Sequence, residues 1–94
     1  MSPNKESKLV IACYAIVAGD FAMFTNSKAQ GVNFKWDEFP EMMAAKCKTE
    51  AFMYITGIKG DKELDEISKV AAWHGEVIAR RLVSRMNSTS WESE

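Results

Sequence analysis

A chain of 94 residues has room for one domain. With 47% hydrophobic residues it is not a disordered segment, and a formal net charge of −1 is not that of a general nucleic-acid binder, which needs a basic face. Two cysteines are too few for a disulfide framework; they read as small buried apolar groups in a reducing, cytoplasmic compartment.

Ser2 and Pro3 open the first predicted helix, Ser as a cap and Pro at the first helical position, with Glu6 in the opening turns where the helix dipole favours an anion. The helix is expected from about Pro3 to about Asn26. Between Leu9 and Phe24 only Gly19 and Asp20 interrupt a run of apolar residues. The run has no strict alternation and is long for a strand, so a helix fits it. A helix that is apolar on nearly every side is buried in a bundle, in a partner or in a membrane. Ala12, Ala15, Gly19 and Ala22 form a small-residue stripe at helical spacing, and Tyr14, Val17, Phe21 and Phe24 a large one. The run is shorter than the roughly 20 apolar residues of a membrane span and carries a carboxylate near its end, so a packed bundle is expected and a membrane partner is not. Asp20 inside this run needs a cation or water, since an unpaired buried carboxylate is costly. Arg81 or Lys69 of the third helix is the expected partner.

Residues 27–36 read as a loop. Gly31 and Asn33 permit turns, and Phe34 and Trp36 are expected to fold back as a lid on the bundle. Asp37 is a candidate cap, with Glu38, Pro40 and Glu41 in the next turn. The second helix is expected from about Glu38 to Thr56, with Met43, Cys47, Ala51, Tyr54 and Ile58 inside and Lys46, Lys48 and Glu50 outside. Met42, Phe52 and Met53 widen its apolar surface. Gly57 and Gly60 stop it. Asp61 is expected to cap the third helix, which runs to about Met86 with Glu63, Asp65 and Glu66 near its start and Arg80, Arg81 and Arg85 near its end, as its dipole favours. Leu64, Ile67, Ala71, His74, Ile78 and Leu82 form its inner face. The polar tail 87–94 is expected to fray.

These elements predict a single all-α domain over residues 1–94: a small antiparallel three-helix bundle around an apolar helix 1, completed by self-association. Three Trp, five Phe, two Tyr and six Met are more large apolar side chain than one three-helix subunit easily hides. A homo-oligomer, most simply a two-fold dimer, is therefore expected, with Ala15, Gly19, Phe21, Phe52 and Met53 as interface candidates.

Catalytic spacing is absent. Cys47 and His74 would make a nucleophile–base pair only at hydrogen-bond distance with a third orienting group, and no nucleophile motif surrounds Cys47. One His and two separated Cys do not make a metal site. Gly57-Ile58-Lys59-Gly60-Asp61 is a turn and not a phosphate loop. Neither an enzyme nor a cofactor is expected. Arg80, Arg81 and Arg85 form the dense cationic cluster; with Lys28 and the aromatics Trp36 and Tyr14 they are the candidate residues for an acidic protein partner or an anionic small ligand such as a nucleotide. In general make-up the chain, short, helical and rich in Met and aromatics, resembles the small accessory proteins of phages and mobile elements. That resemblance implies a protein that blocks a partner protein or sequesters a small phosphorylated ligand between subunits. The leading expectation is a non-enzymatic protein–protein interaction module.

Overall fold

A computed structural model describes residues 1–29 and 34–92, without the side chains of 27–29 and 87–92. The chain is an all-α three-helix bundle. Helix α1 spans Pro3–Ala29, α2 spans Phe39–Glu50 and α3 spans Asp61–Glu92. Short 3-10 turns, Trp36–Glu38 and Ala51–Tyr54, flank α2. The turns expected at Gly31 and Asn33 lie outside the described residues, and α3 continues past the expected end at Met86.

The helices run up, down, up. Lys5 bonds Glu63 and Cys13 bonds the carbonyl of Ala71, the same sequence offset of 58 each time, so α1 and α3 are parallel. Between them α2 runs antiparallel to both, and its most extensive packing is with α3. Each helix sends residues at i, i+4 spacing into the core: Leu9, Cys13 and Val17 from α1, Met43 and Cys47 from α2 with Ala51 beyond it, and Ile67, Ala71 and Ala79 from α3. This is the spacing at which helical side chains stack on one face.

Gly75 completes the α3 row and sets the α2–α3 distance. A Cβ there would lie 2.7 Å from Cys47 Sγ and 2.8 Å from the Met43 carbonyl oxygen. The absent side chain lets the two backbones close up.

Local chemistry explains the ends. The Ser2 hydroxyl accepts the Lys5 amide at 3.3 Å and the Ser2 carbonyl accepts the Glu6 amide at 3.0 Å, so Ser2 caps α1 as its type predicts. At α3 the expected cap, Asp61, is the first helical residue. Glu63 instead accepts the Lys59 backbone N–H at 2.8 Å, while Gly60, at φ 94°, supplies the left-handed turn before the helix. Glu63 also accepts Lys5 Nζ at 3.0 Å, and Lys5 donates to the Gly57 carbonyl at 2.8 Å. This latch ties the start of α1 to the start of α3.

Two expectations are corrected. Asp20 meets neither Arg81 nor Lys69. Lys46 of α2 donates to both Asp20 oxygens at 2.9 and 2.8 Å, because Asp20 lies on the side of α1 that faces α2. Lys69 pairs with Asp65 on its own helix. Tyr54, expected inside, is exposed, and Ile55 is buried in its place. The α-helix ends at Glu50, short of the expected Thr56, so the helical spacing that would place Tyr54 inside does not extend to it; the chain passes through a 3-10 turn and turns extended at Ile55, φ −108° and ψ 125°.

The far end of the bundle is closed by aromatic rings. Phe39 is fully buried, and Phe21, Phe24, Phe34 and Trp36 surround it at centroid distances of 6.0, 6.1, 6.2 and 5.2 Å. Phe34 stacks on Phe24 at 4.3 Å. The loop aromatics therefore do fold back onto the helices.

Candidate interaction surface

Helix α1 buries one side and leaves the other open. At about 100° per residue, Leu9, Cys13 and Val17 point into the bundle, and Asp20 points towards α2. Ile11, Tyr14, Ala15, Ala18, Gly19 and Ala22 fall within the opposite arc, about 140° wide, with Met23 about 40° beyond its edge. All of them are exposed except Ala18, which is half-buried. None is charged. Ile11 is 68% exposed and Tyr14 56%, in a helix otherwise suited to burial. Over Pro3–Asn26 the helix is long and apolar enough to cross a membrane by length and composition, yet only 22% of its most apolar window is buried.

Beside the arc lies an open groove of about 410 Å³, lined by Lys8, Ile11, Ala12, Ala15, Ile16 and Tyr54. Its wall is Tyr54, 63% exposed. Met53, equally exposed, follows the same turn. A second open cleft, about 490 Å³, runs along the other flank of α1 by Met1, Glu6, Val10 and Ile11. Ile11 is thus the ridge between two hollows.

Of the residues the sequence marks for an interface, Ala15, Gly19 and Met53 are exposed. Phe21 and Phe52 are half-buried and pack against the core; Phe21 is held by Trp36 at 5.3 Å. Sequence reasoning did not single out Ile11, Ala18 and Tyr54. Nothing in a run apolar on all sides marks which side is outward, and Tyr54 lies beyond the end of α2 at Glu50, where the helical spacing no longer applies.

The candidate ligand residues do not converge. Arg80, Arg81 and Arg85 line an open cleft of about 450 Å³ with Ser84, and Arg80 pairs with Glu76 one turn back at 3.0 Å. Tyr14 belongs to the α1 arc. Trp36 is packed into the aromatic end cluster, its Nε1 buried without a partner. The side chain of Lys28 lies outside the described residues.

Cys47 and His74 form no nucleophile pair among the described residues. Both Cys13 and Cys47 are free thiols, fully buried. A hydrogen bond with Cys13 and burial push the Cys47 thiol well above its ordinary range, and a thiol held protonated is a poor nucleophile. His74 Nε2 is buried without a hydrogen-bond partner, so it meets neither thiol. Among the described residues no three His, Cys, Asp or Glu gather as metal ligands.

Comparison of the chain with protein-family models, curated proteins and solved structures found no match.

Proposed function

We propose that the chain is a non-enzymatic protein–protein interaction module, a small helical homo-oligomer that binds or inhibits a partner protein in the cytoplasm. One observation carries this reading: the exposed arc of α1, uncharged between Ile11 and Met23, with its adjoining groove. A contiguous apolar patch on a small domain marks an interaction site, because leaving it in water is unfavourable. The two buried free thiols suit a reducing compartment.

Affinity capture with the full chain from its native cells tests the reading. A protein retained by the wild type and lost on Ile11→Glu supports it. Retention of no protein by a folded wild-type chain counts against it.

A second reading is favoured by the cleft of Arg80, Arg81, Ser84 and Arg85: sequestration of a phosphorylated or nucleotide-type small ligand, since guanidinium forks fit phosphate oxygens. Native mass spectrometry of protein purified from cells separates the two. A retained small molecule, lost in Arg81→Ala, favours sequestration; a chain free of small molecules favours the interaction module.

A further inference from the structure

We propose that Cys13 and Cys47 form a peroxide-sensitive switch, in which oxidation joins the two sulfurs in a disulfide that locks α1 onto the α2–α3 pair. The switch lies inside the bundle and does not depend on what the surface of α1 binds.

Three helices bring the two sulfurs to one spot. Cys13 Sγ donates to the Ala71 carbonyl of α3 at 3.6 Å. A helical carbonyl points one turn along its own helix, so this oxygen faces the level of Gly75. Cys47 Sγ sits over Gly75, where a Cβ would lie only 2.7 Å from it. The same sulfur donates to the Cys13 carbonyl at 4.0 Å. Both thiols therefore share the hollow beside Ala71 and Gly75, and they hydrogen-bond each other. A side chain of α2 that touches the backbone of α1 at Cys13 has nothing between it and that residue, which is the arrangement an inter-helix disulfide requires. Both cysteines are fully buried.

The pair is asymmetric in the way the chemistry needs. The hydrogen bond from Cys47 holds the Cys13 thiol below its ordinary range, against the opposing effect of burial. The same bond, together with burial, holds Cys47 above its own. Cys13 is then the thiolate that attacks and Cys47 the thiol that resolves. The Cys13 sulfur attacks one oxygen of hydrogen peroxide; the S–O bond forms, the O–O bond breaks, and the departing hydroxide takes up the proton that Cys13 released. Cys13 is oxidised to a sulfenic acid and the peroxide is reduced to water. The Cys47 sulfur next attacks the Cys13 sulfur. The S–S bond forms, the S–O bond breaks, and the hydroxide leaves with the Cys47 proton as a second water. Two thiols and one peroxide thus give one disulfide and two waters. Peroxide, small and uncharged, reaches the core through local opening of the helices.

The bond would tie positions 34 apart in the chain. It would secure α1, whose packing on α2 is slight beside that of α2 on α3 and whose exposed arc would then be held in one place.

Hydrogen peroxide applied to the native full chain, followed by alkylation in denaturant and peptide mapping, tests the switch. The map separates cysteine products from oxidised methionine. The expected product is a Cys13–Cys47 link within one chain, reversed by dithiothreitol. The melting temperature of the oxidised chain should rise by about 10 °C or more, because the link constrains the unfolded state. In Cys47→Ala the sulfenic acid has no resolving thiol, so dimedone should trap it at Cys13 and the melting temperature should not rise. The wild-type map decides the matter by itself where Cys47→Ala fails to fold. Two thiols that both alkylate after exposure of the native chain overturn the switch and leave the cysteines as packing groups. A link that forms only in denaturant, or only between chains, overturns it too.

Discussion

Two rows of small residues at helical spacing meet opposite fates in this molecule. On α3, Ala71, Gly75 and Ala79 are buried, and a single added carbon at Gly75 would collide with the Cys47 sulfur and the Met43 carbonyl. On α1, Ala15, Gly19 and Ala22 are exposed, and the same carbon at Gly19 would touch nothing. The pattern of side-chain size is alike. The difference lies in the rest of each helix. The far side of α3 carries Asp65, Lys69, Glu76 and Arg80, which hold that side in water and turn the small row towards α2. Helix α1 has no such set between Leu9 and Phe24; its one charge, Asp20, is taken by Lys46. A small-residue row therefore marks a place where backbones can approach, and the polar residues opposite decide whether the approach happens within the chain or is left for something outside it.

The contrast is broken most severely at Gly75. Gly75→Ala should destabilise the fold by about 1–3 kcal/mol despite the better helix propensity of Ala, because overpacking against backbone has no cheap relief. For a domain of this size each kcal/mol lowers the melting temperature by about 4–8 °C. A urea unfolding curve indistinguishable from wild type would show that α2 can move away freely.

The double variant Cys47→Ala, Gly75→Ala sharpens the point. Removing the sulfur frees the nearest of the clashing atoms but leaves the Met43 oxygen at 2.8 Å and the Cβ of residue 47 at 2.9 Å. The pair should therefore be less destabilised than the two single changes added together, with a coupling of about 0.5–3 kcal/mol. Strict additivity in the double-mutant cycle would place the strain elsewhere.

At Gly19 the sign reverses. In the Ala15→Glu background, where the α1 arc faces water, Gly19→Ala should stabilise the fold by about 0.5–1 kcal/mol, because Ala loses less backbone freedom than Gly in a helix. A loss of stability there would mean that the position is not open.

The smallest effects belong to the ion pairs that hold α1 in place. Hydrogen bonding to Asp20 raises Lys46 above its ordinary 10.5. A raised lysine stabilises the fold fully below its unfolded value and loses that contribution as pH climbs through its folded value. Lys46→Met should therefore flatten stability against pH above about 10.5, at a cost near neutral pH of about 0.2–1 kcal/mol. Glu63 works at the acid end. The Lys59 amide, then Lys5, hold it below its ordinary 4.5, so its contribution is present above that value and fades as pH falls through the folded one. Glu63→Gln should remove part of the acid slope of thermal stability; an unchanged slope would mean that the latch contributes nothing.

Much of the fold was legible in the residues themselves. Ser2 and Pro3 mark the first helix, Gly57 and Gly60 separate the second from the third, and the i, i+4 rows of Met43, Cys47 and Ala51 and of Ile67 and Ala71 identify core positions. These signals are local: a cap, a left-handed turn or a face bounded by charges speaks for itself within a few residues. Ala15 and Gly19 were also legible as members of a small-residue row, since size is a property of the residue. Four matters were settled only by the tertiary structure. Which side of α1 faces water depends on where α2 and α3 lie, because a helix apolar all round carries no mark of its own. The partner of Asp20 depends on the antiparallel course of α2, which brings Lys46 across. Tyr54 is outside and Ile55 inside beyond the point, Glu50, where α2 ends, an end that a pattern assuming one uniform helix to Thr56 does not show. Gly75, which by helix propensity reads as a weakness in the middle of α3, holds α2 close, because the value of an absent side chain is set by what packs against it.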